Sequence, residues 1–282
     1  MSTVRVGVVG YGTIGMRLAD GVAKQEDMEL VGVVDVAPTP AIRALHEAGM
    51  YYDLYLVDPV RKPDFDVIGI PVAGSMNDLL EQVDVVLDAT PGGIGAKNKV
   101  LYQQHGVKAI FQGGEKNEIA DVFFHGYANY EKGIGQNFLK LTSCNTTGLI
   151  RAVDAMDRLV GVEKVAITIV RRVADPGDVH RGLVDVLMVD KVPNHQAVDL
   201  MTVMPHVHAT GFLVHTPVTH GHVISIVATP KKSISKETLL QAFREHPRIR
   251  VFRIADGFNS NAALFKYARD LGNKRADMYE IG

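Results

Sequence analysis

Three observations in this 282-residue sequence predict a two-domain α/β chain, with a doubly wound parallel sheet first and an α+β half with a mainly antiparallel sheet second. Through residue 140, short apolar β-branched runs alternate with stretches of helical periodicity. A glycine-rich turn joins the first run to the first helix. Beyond residue 140 strand-like runs follow one another directly, as in antiparallel or mixed sheets. Length points the same way, since single cores stop growing near about 250–300 residues.

The elements follow in order. VRVGVV at 4–9 is a buried strand, GYGTIG turns the chain, and Met16, Leu18, Ala19, Val22 and Ala23 set a helical period before a second buried strand, MELVGVVDV at 28–36. This is one βαβ unit. A helix near 40–49 and a short strand FDVIGI are expected next, then a helix opened by Ser75 with Asp78 three residues on. DVVLDAT is a further strand, followed by a helix at about 96–105 and the strand of VKAIFQGG. In the second half TTGLIRAVDAMDRLV reads as a helix, VEKVAITIVRRV as a long alternating strand, and Ala174 to about Met204 as a loop. GFLVHTPVTHGHVISIVAT supplies two strand-like runs, ISKETLLQAFREH a Ser-capped helix and IRVFRIA a strand. The domains are read as 1–140, dinucleotide-binding, and 141–282, catalytic.

Composition excludes several classes. Apolar residues make up 46% and charged residues 22%, ordinary for a globular protein, and a net charge of −2 offers no field to hold nucleic acid. No apolar run reaches the ~18 residues that suggest a membrane span. The N-terminus enters a strand pattern without a signal-peptide flank, and one cysteine allows neither an internal disulfide nor a cysteine-based zinc site. A cytoplasmic protein without a metal site is expected.

Gly10, Gly12 and Gly15 form G-x-G-x-x-G between a strand and a helix. The three serve a tight turn, close approach to a pyrophosphate, and helix packing, and the helix N-terminus offers free amides to phosphate. Asp35 lies twenty residues beyond Gly15 at the end of the second strand, where a carboxylate accepts a ribose 2′-hydroxyl and repels a 2′-phosphate. This is a Rossmann-type pattern for NAD or NADP, with NAD favoured by Asp35.

Cys144 sits among Ser143, Asn145, Thr146 and Thr147 at the start of a helix. A free cysteine is often a small core residue. Polar neighbours and a helix N-terminus favour instead a reactive thiolate whose nearby amides can share an oxyanion. Such a nucleophile needs an acid or base, and His220 and His222, two apart on a strand pattern, share one face. A metal site on this pair lacks a third ligand at suitable spacing. Arg171 and Arg172 end the long strand pointing to opposite faces, suited to a phosphate on one side and a cofactor or partner on the other. His195 follows as a second phosphate ligand.

In order along the chain, GYGTIG, QGGEK at 112–116, SCNTTGL at 143–149, VRR.ADP at 170–176, P.H at 193–195, H.H at 220–222 and DGF.S at 256–260 resemble the archaeal-type phosphorylating glyceraldehyde-3-phosphate dehydrogenases. The resemblance implies oxidation of D-glyceraldehyde 3-phosphate with inorganic phosphate to 1,3-bisphosphoglycerate, in glycolysis or gluconeogenesis, by a homotetramer. It implies Cys144 as nucleophile with Ser143 and Asn145 at the aldehyde, and Thr13, Ile14, Gly114 and Arg172 at the cofactor. His195 and Gln196, with Arg171, fall to phosphate, and the H.H pair supplies the base, His222 before His220.

This chain departs from the family in three places. Members commonly carry a basic residue where Asp35 stands, and often His-His where His195-Gln196 stands. The family chain also continues past the position of Gly282, so the DMYEIG stop reads as a fragment or a truncation. Two alternatives are a semialdehyde dehydrogenase of the same fold, whose motifs are missing around Cys144, and a dinucleotide-binding protein without catalysis.

Overall fold

The computed structural model describes residues 3–50, 52–112, 114–172, 188–218 and 220–282. Gly113, Thr219 and the Ala174-Asp175-Pro176 part of the arginine motif lie outside them. The chain forms two compact units, Met1–Phe124 with Glu131–Leu141, and His125–Tyr130 with Thr142–Gly282.

In the first unit the chain runs β1 (Val4–Val9), α1 (Gly15–Val22), β2 (Met28–Asp35), α2 (Pro40–Glu47), β3 (Asp53–Leu56), α3 (Lys62–Asp66), β4 (Gly74–Ser75) and α4 (Met76–Leu80). It continues through β5 (Val85–Asp88), α5 (Ile94–Gln104), β6 (Lys108–Phe111), β7 (Val122–Phe124), α6 (Tyr130–Gly133) and β8 (Phe138–Leu141). The eight strands form one sheet in the order β4-β3-β2-β1-β5-β6-β8-β7, and every pairing is parallel. Strand order reverses at β1, flanked by β2 and β5, the place where open α/β sheets bind their ligands.

Alternate side chains explain the two-sided burial. Val8, Val33, Leu54 and Leu56 enter a core with Ala19 of α1 and Ile42 of α2, while Val9, Val34 and Tyr55 enter another with Leu79 of α4 and Tyr102 of α5. Ser75 and Asp78 form the expected reciprocal cap of α4. FDVIGI, expected as a strand, is instead the end of α3 and a turn: Phe65 plugs the core, and its carbonyl accepts the amides of Ile68 and Ile70.

The second unit runs α7 (Cys144–Val160), β9 (Val162–Arg172), β10 (Met188–Val189), α8 (His195–Val203), β11 (His208–Thr216), β12 (Val223–Pro230), α9 (Lys236–Glu245) and α10 (Asn261–Asp270). Its sheet has the order β10-β11-β9-β12, with the two outer pairings antiparallel and β11–β9 parallel. A parallel neighbour needs a crossover, and α8 lies in it. This helix replaces the second part of the loop expected from Ala174 to Met204. Asn194 caps it by accepting the Ala197 amide at 3.0 Å. Gly211 lets it approach the sheet, since a Cβ there would lie 2.9 Å from Asn194 Nδ2. IRVFRIA forms no strand of the sheet: one isolated bridge joins Ile249 to Ile281, and Ile254–Asp256 is a 3₁₀ turn.

Val165, Ile167 and Ile169 of β9 and Leu213 of β11 are buried on one face, as are Leu149, Ile150 and Val153 of α7 and Ala197, Leu200 and Val203 of α8. The intervening residues of β9 are exposed, with Val170, Phe212, Val223 and Val227 39–69% accessible.

Candidate active site

Cys144 is the first residue of α7, and its thiol is exposed. Ser143 is the N-cap, with its Oγ accepting the Thr146 amide at 3.3 Å, and the Ser143 carbonyl accepts the Thr147 amide at 2.7 Å. Helix geometry leaves the amides of Cys144 and Asn145 without an i−4 carbonyl, so both can serve an oxygen bound beside the sulfur. The turn is braced from α8: the Thr146 hydroxyl, fully buried, donates to Asp199 Oδ2 at 3.2 Å. Asn145 is buried, and its Oδ1 has no hydrogen-bond partner among the described residues.

His222 Nε2 lies 3.7 Å from Cys144 Sγ. Its Nδ1 accepts the backbone amide of Arg172 at 3.2 Å, so the neutral ring carries its proton on Nε2, toward the sulfur. Burial, and then the Arg172 and Arg171 guanidinium groups, push His222 down to about 4. The ring is therefore neutral near pH 7, acting on the sulfur as a hydrogen-bond donor. His220 and His222 do not share a strand face. They precede β12 in a loop, and Gly221 between them has φ +73°, which breaks the two-residue alternation. His220 meets the Phe265 ring edge-on at 5.2 Å, and its carbonyl accepts the Asn261 side chain.

His195 opens α8, where its Nε2 lies 2.8 Å from the Gln196 amide and its Nδ1 3.6 Å from Asp190. Gln196 is fully buried. Arg171 pairs in register with His215, a residue not singled out from sequence; burial, then Arg171, push that histidine down.

His125 supports the same helix from outside the motif. Its Nδ1 accepts the amides of Tyr127 and Ala128, and its Nε2–H donates to the Thr147 carbonyl at 3.3 Å. Burial holds it down to about 4 from an ordinary 6.5. Protonation therefore favours the unfolded chain. The stabilisation from this buried neutral ring is complete above about pH 6.5 and disappears as pH falls toward 4, up to about 3 kcal/mol. Melting midpoints measured from pH 7 to 4 should fall on this limb, and less steeply in His125→Gln; identical slopes would contradict the assignment.

In the first unit Gly10 has φ +87°, open space surrounds any Cβ placed on Gly12, and a Cβ on Gly15 would lie 1.8 Å from the Gly10 carbonyl oxygen. Those environments match a tight turn, an exposed backbone and close helix packing. No side chain caps α1, and the Met16 and Arg17 amides donate to the Gly12 and Ile14 carbonyls at 3.0 and 2.9 Å, so an anion here meets the remaining amides of the turn and the positive end of the helix. Asp35 accepts the amides of Tyr11 at 3.1 Å and Val36 at 2.7 Å, and burial pushes its carboxyl upward against those bonds. Thr13 is half-buried and Ile14 is 44% exposed at the mouth of this turn. These residues fit a dinucleotide.

The family "Glyceraldehyde 3-phosphate dehydrogenase, C-terminal domain" matches residues 143–270, and "Dihydrodipicolinate reductase, N-terminus" matches residues 4–122. A glyceraldehyde-3-phosphate dehydrogenase of Methanoregula boonei is 40% identical over 98% of this chain and 81% of its own. The protein of that name from Thermococcus kodakarensis is 44% identical over 99% of this chain and 82% of its own. The chain belongs to the glyceraldehyde-3-phosphate dehydrogenase family.

Aspartate semialdehyde dehydrogenase II from Vibrio cholerae is similar in fold, with a TM-score of 0.66 at 13% identity over 89% of this chain and 82% of its own. Of the residues anticipated in this glyceraldehyde-3-phosphate dehydrogenase family member, Ser143, Cys144, Asn145, Arg172 and His222 gather around the first turn of α7. His195, Gln196 and Arg171 lie at the start of α8 and the end of β9, and Gly10, Gly12, Thr13, Ile14, Gly15 and Asp35 around the first unit's glycine turn. Gly114 lies against Gly92 in the same unit. Asp199, Asp190 and the Arg172 backbone amide carry no signal in the sequence pattern, because the contact of each depends on α8 or on a loop conformation. Among the described residues no cluster could hold a metal ion, and no helix is long and apolar enough to cross a membrane.

Proposed function

We propose that this chain oxidises D-glyceraldehyde 3-phosphate, with a nicotinamide dinucleotide and inorganic phosphate, to 1,3-bisphosphoglycerate. The carrying observation is the 3.7 Å approach of His222 Nε2 to Cys144 Sγ at a helix N-terminus, in a chain of this family. The Cys144 thiolate bonds to the aldehyde carbon, and the carbonyl electron pair moves onto oxygen. Amides of the first turn and the His222 N–H stabilise that oxygen. A bound dinucleotide supplies the acceptor for the hydride that leaves this carbon, and the carbonyl re-forms as a thioester on Cys144. A phosphate oxygen then attacks the thioester, the C–S bond breaks, and its electron pair returns to sulfur beside the His222 N–H. The proton of hydrogen phosphate goes to solvent. Arg171, His195 and Gln196 are assigned to phosphate groups, Ser143 and Asn145 to the aldehyde end, and Arg172 and Gly114 to the cofactor. The first unit is read as the dinucleotide-binding domain and the second as the catalytic domain, in a cytosolic enzyme.

The test is reduction of NAD by the purified chain with glyceraldehyde 3-phosphate, with and without phosphate. Turnover that requires phosphate supports the reading; phosphate-independent turnover contradicts it, and dinucleotide binding without turnover points to a non-catalytic protein.

Asp35 favours NAD over NADP, because a 2′-phosphate would meet its carboxylate at the end of β2. Asp35→Ala should raise the ratio of NADP to NAD efficiency by about tenfold or more, through loss of that repulsion. Equal efficiencies in the unaltered chain would remove the role.

Association into a homotetramer is supported by the exposed sheet face bearing Val170, Phe212, Val223 and Val227. A monomeric mass by sedimentation at micromolar concentration would overturn it.

A further inference from the structure

Asp88 ends β5, next to the point of strand reversal, and is 1% exposed. Its Oδ1 accepts the Thr90 amide at 2.9 Å and the Thr90 hydroxyl at 2.5 Å. Its Oδ2 accepts the Asn98 side chain at 3.1 Å and the Tyr102 hydroxyl at 2.7 Å. None of these four donors is cationic. A carboxylate buried this deeply among neutral donors is costly unless each oxygen is satisfied, so its presence calls for something beyond stability.

The two oxygens face different parts of the fold. Oδ2 is bound to α5 and its core-facing Tyr102, whereas Oδ1 holds the turn that follows β5. That turn lies between two glycine segments. On one side, a Cβ at Gly10 would lie 3.2 Å from the backbone of Ala89 and Thr90; on the other, a Cβ at Gly92 would lie 2.8 Å from the Gly114 carbonyl oxygen. Glu115 locks the far end, where its Oε1 accepts the Gly95 amide at 2.8 Å in the first turn of α5. That acceptor occupies the α5 N-terminus, while α1 has no side-chain cap.

We propose that Asp88 is a positioning residue for dinucleotide binding: through Thr90 it fixes the Ala89–Gly92 backbone as a ledge between the Gly10 turn and the Gly114 segment. The proposal rests on reading the first unit as the dinucleotide site. Asp88 itself touches no reactant, and its effect is carried by the backbone it holds.

Asp88→Asn replaces one acceptor oxygen with a donor and should weaken NAD binding, but it also disturbs four buried bonds. Two smaller changes separate position from stability. Thr90→Val removes the hydroxyl bond to Oδ1 on the ledge side. Tyr102→Phe removes one bond to Oδ2 on the helix side.

The experiment is calorimetric titration of the full chain with NAD, alongside melting midpoints and the rate of Cys144 alkylation by iodoacetamide. One buried hydrogen bond lost on the ledge should raise the NAD dissociation constant about tenfold in Thr90→Val, and Thr90→Ser should restore it. Tyr102→Phe should lower the melting midpoint while its NAD dissociation constant stays within about twofold, since it leaves the ledge bonds in place. Alkylation of Cys144 should be unchanged in all of them. Wild-type affinity in Thr90→Val, equal weakening in Tyr102→Phe, or failure of Thr90→Ser to recover would overturn the proposal. An unaltered chain that binds neither NAD nor NADP would instead overturn the reading of the first unit.

Discussion

Cys144→Ser loses turnover by at least about 10³-fold and binds NAD with unchanged affinity. The substitution exchanges sulfur for oxygen at the first residue of α7, and the cap around it is built from Ser143, Thr146 and Asp199, none of which depends on the sulfur. The helix therefore stays in place. A serine hydroxyl in this position has no base to take its proton, since His222 presents Nε2–H with Nδ1 committed to the Arg172 amide. Measuring NAD reduction and NAD binding on the same preparation separates chemistry from cofactor affinity. Retained turnover would remove Cys144 from the mechanism.

His222→Ala lowers kcat/KM by about 10²–10⁴-fold, the usual range for a positioned proton donor or acceptor, and slows alkylation of Cys144. His220→Ala does not slow alkylation, because that ring packs against Phe265. The sign of the pH effect follows from His222 being held down to about 4. Its charge does not change between about pH 5.5 and 8, so no rise of activity centred at the ordinary histidine value should be assigned to it. Steady-state rates across that interval, with the alkylation rate in parallel, measure both points. Equal losses from the two histidine changes would refute the assignment.

The cap of α4 and the helix after Ser143 are legible in sequence because each depends on contacts within a few residues, and the glycine turn and Asp35 because a βαβ unit fixes their spacing, although Asp35 meets the Tyr11 amide 24 residues away. FDVIGI misled, since a short apolar run bounded by turns is compatible with a strand or with one plug residue, and Phe65 is the plug. The helix at His195 carried a readable signal in Asn194 followed by Ala197, Leu200 and Val203, but the Asp, Pro, Gly and His content upstream outweighed it. Without that helix the parallel pairing of β11 with β9 could not be foreseen, because a crossover was missing. The histidine pair misled for another reason. Alternation predicts a shared face only while φ stays in the extended range, and Gly221 leaves it. The hydrogen bond that orients His222 joins residues that only the tertiary fold brings together; at Asp88 the bonds from Thr90 are local, whereas those from Asn98 and Tyr102 need α5 packed against the end of β5.

His125 and its neighbours belong to the second unit, although Phe124 before them and Glu131 after them belong to the first. The covalent chain therefore crosses between units three times, and the second unit is discontinuous along the polypeptide. β8, emitted after that excursion, takes its place between β6 and β7. A ribosome must release residues on both sides of His125–Tyr130 before the first sheet is complete. A single proteolytic cut after Phe124, which keeps the histidine brace on the second unit, also carries away Glu131–Leu141 and with it β8, a strand of the first sheet.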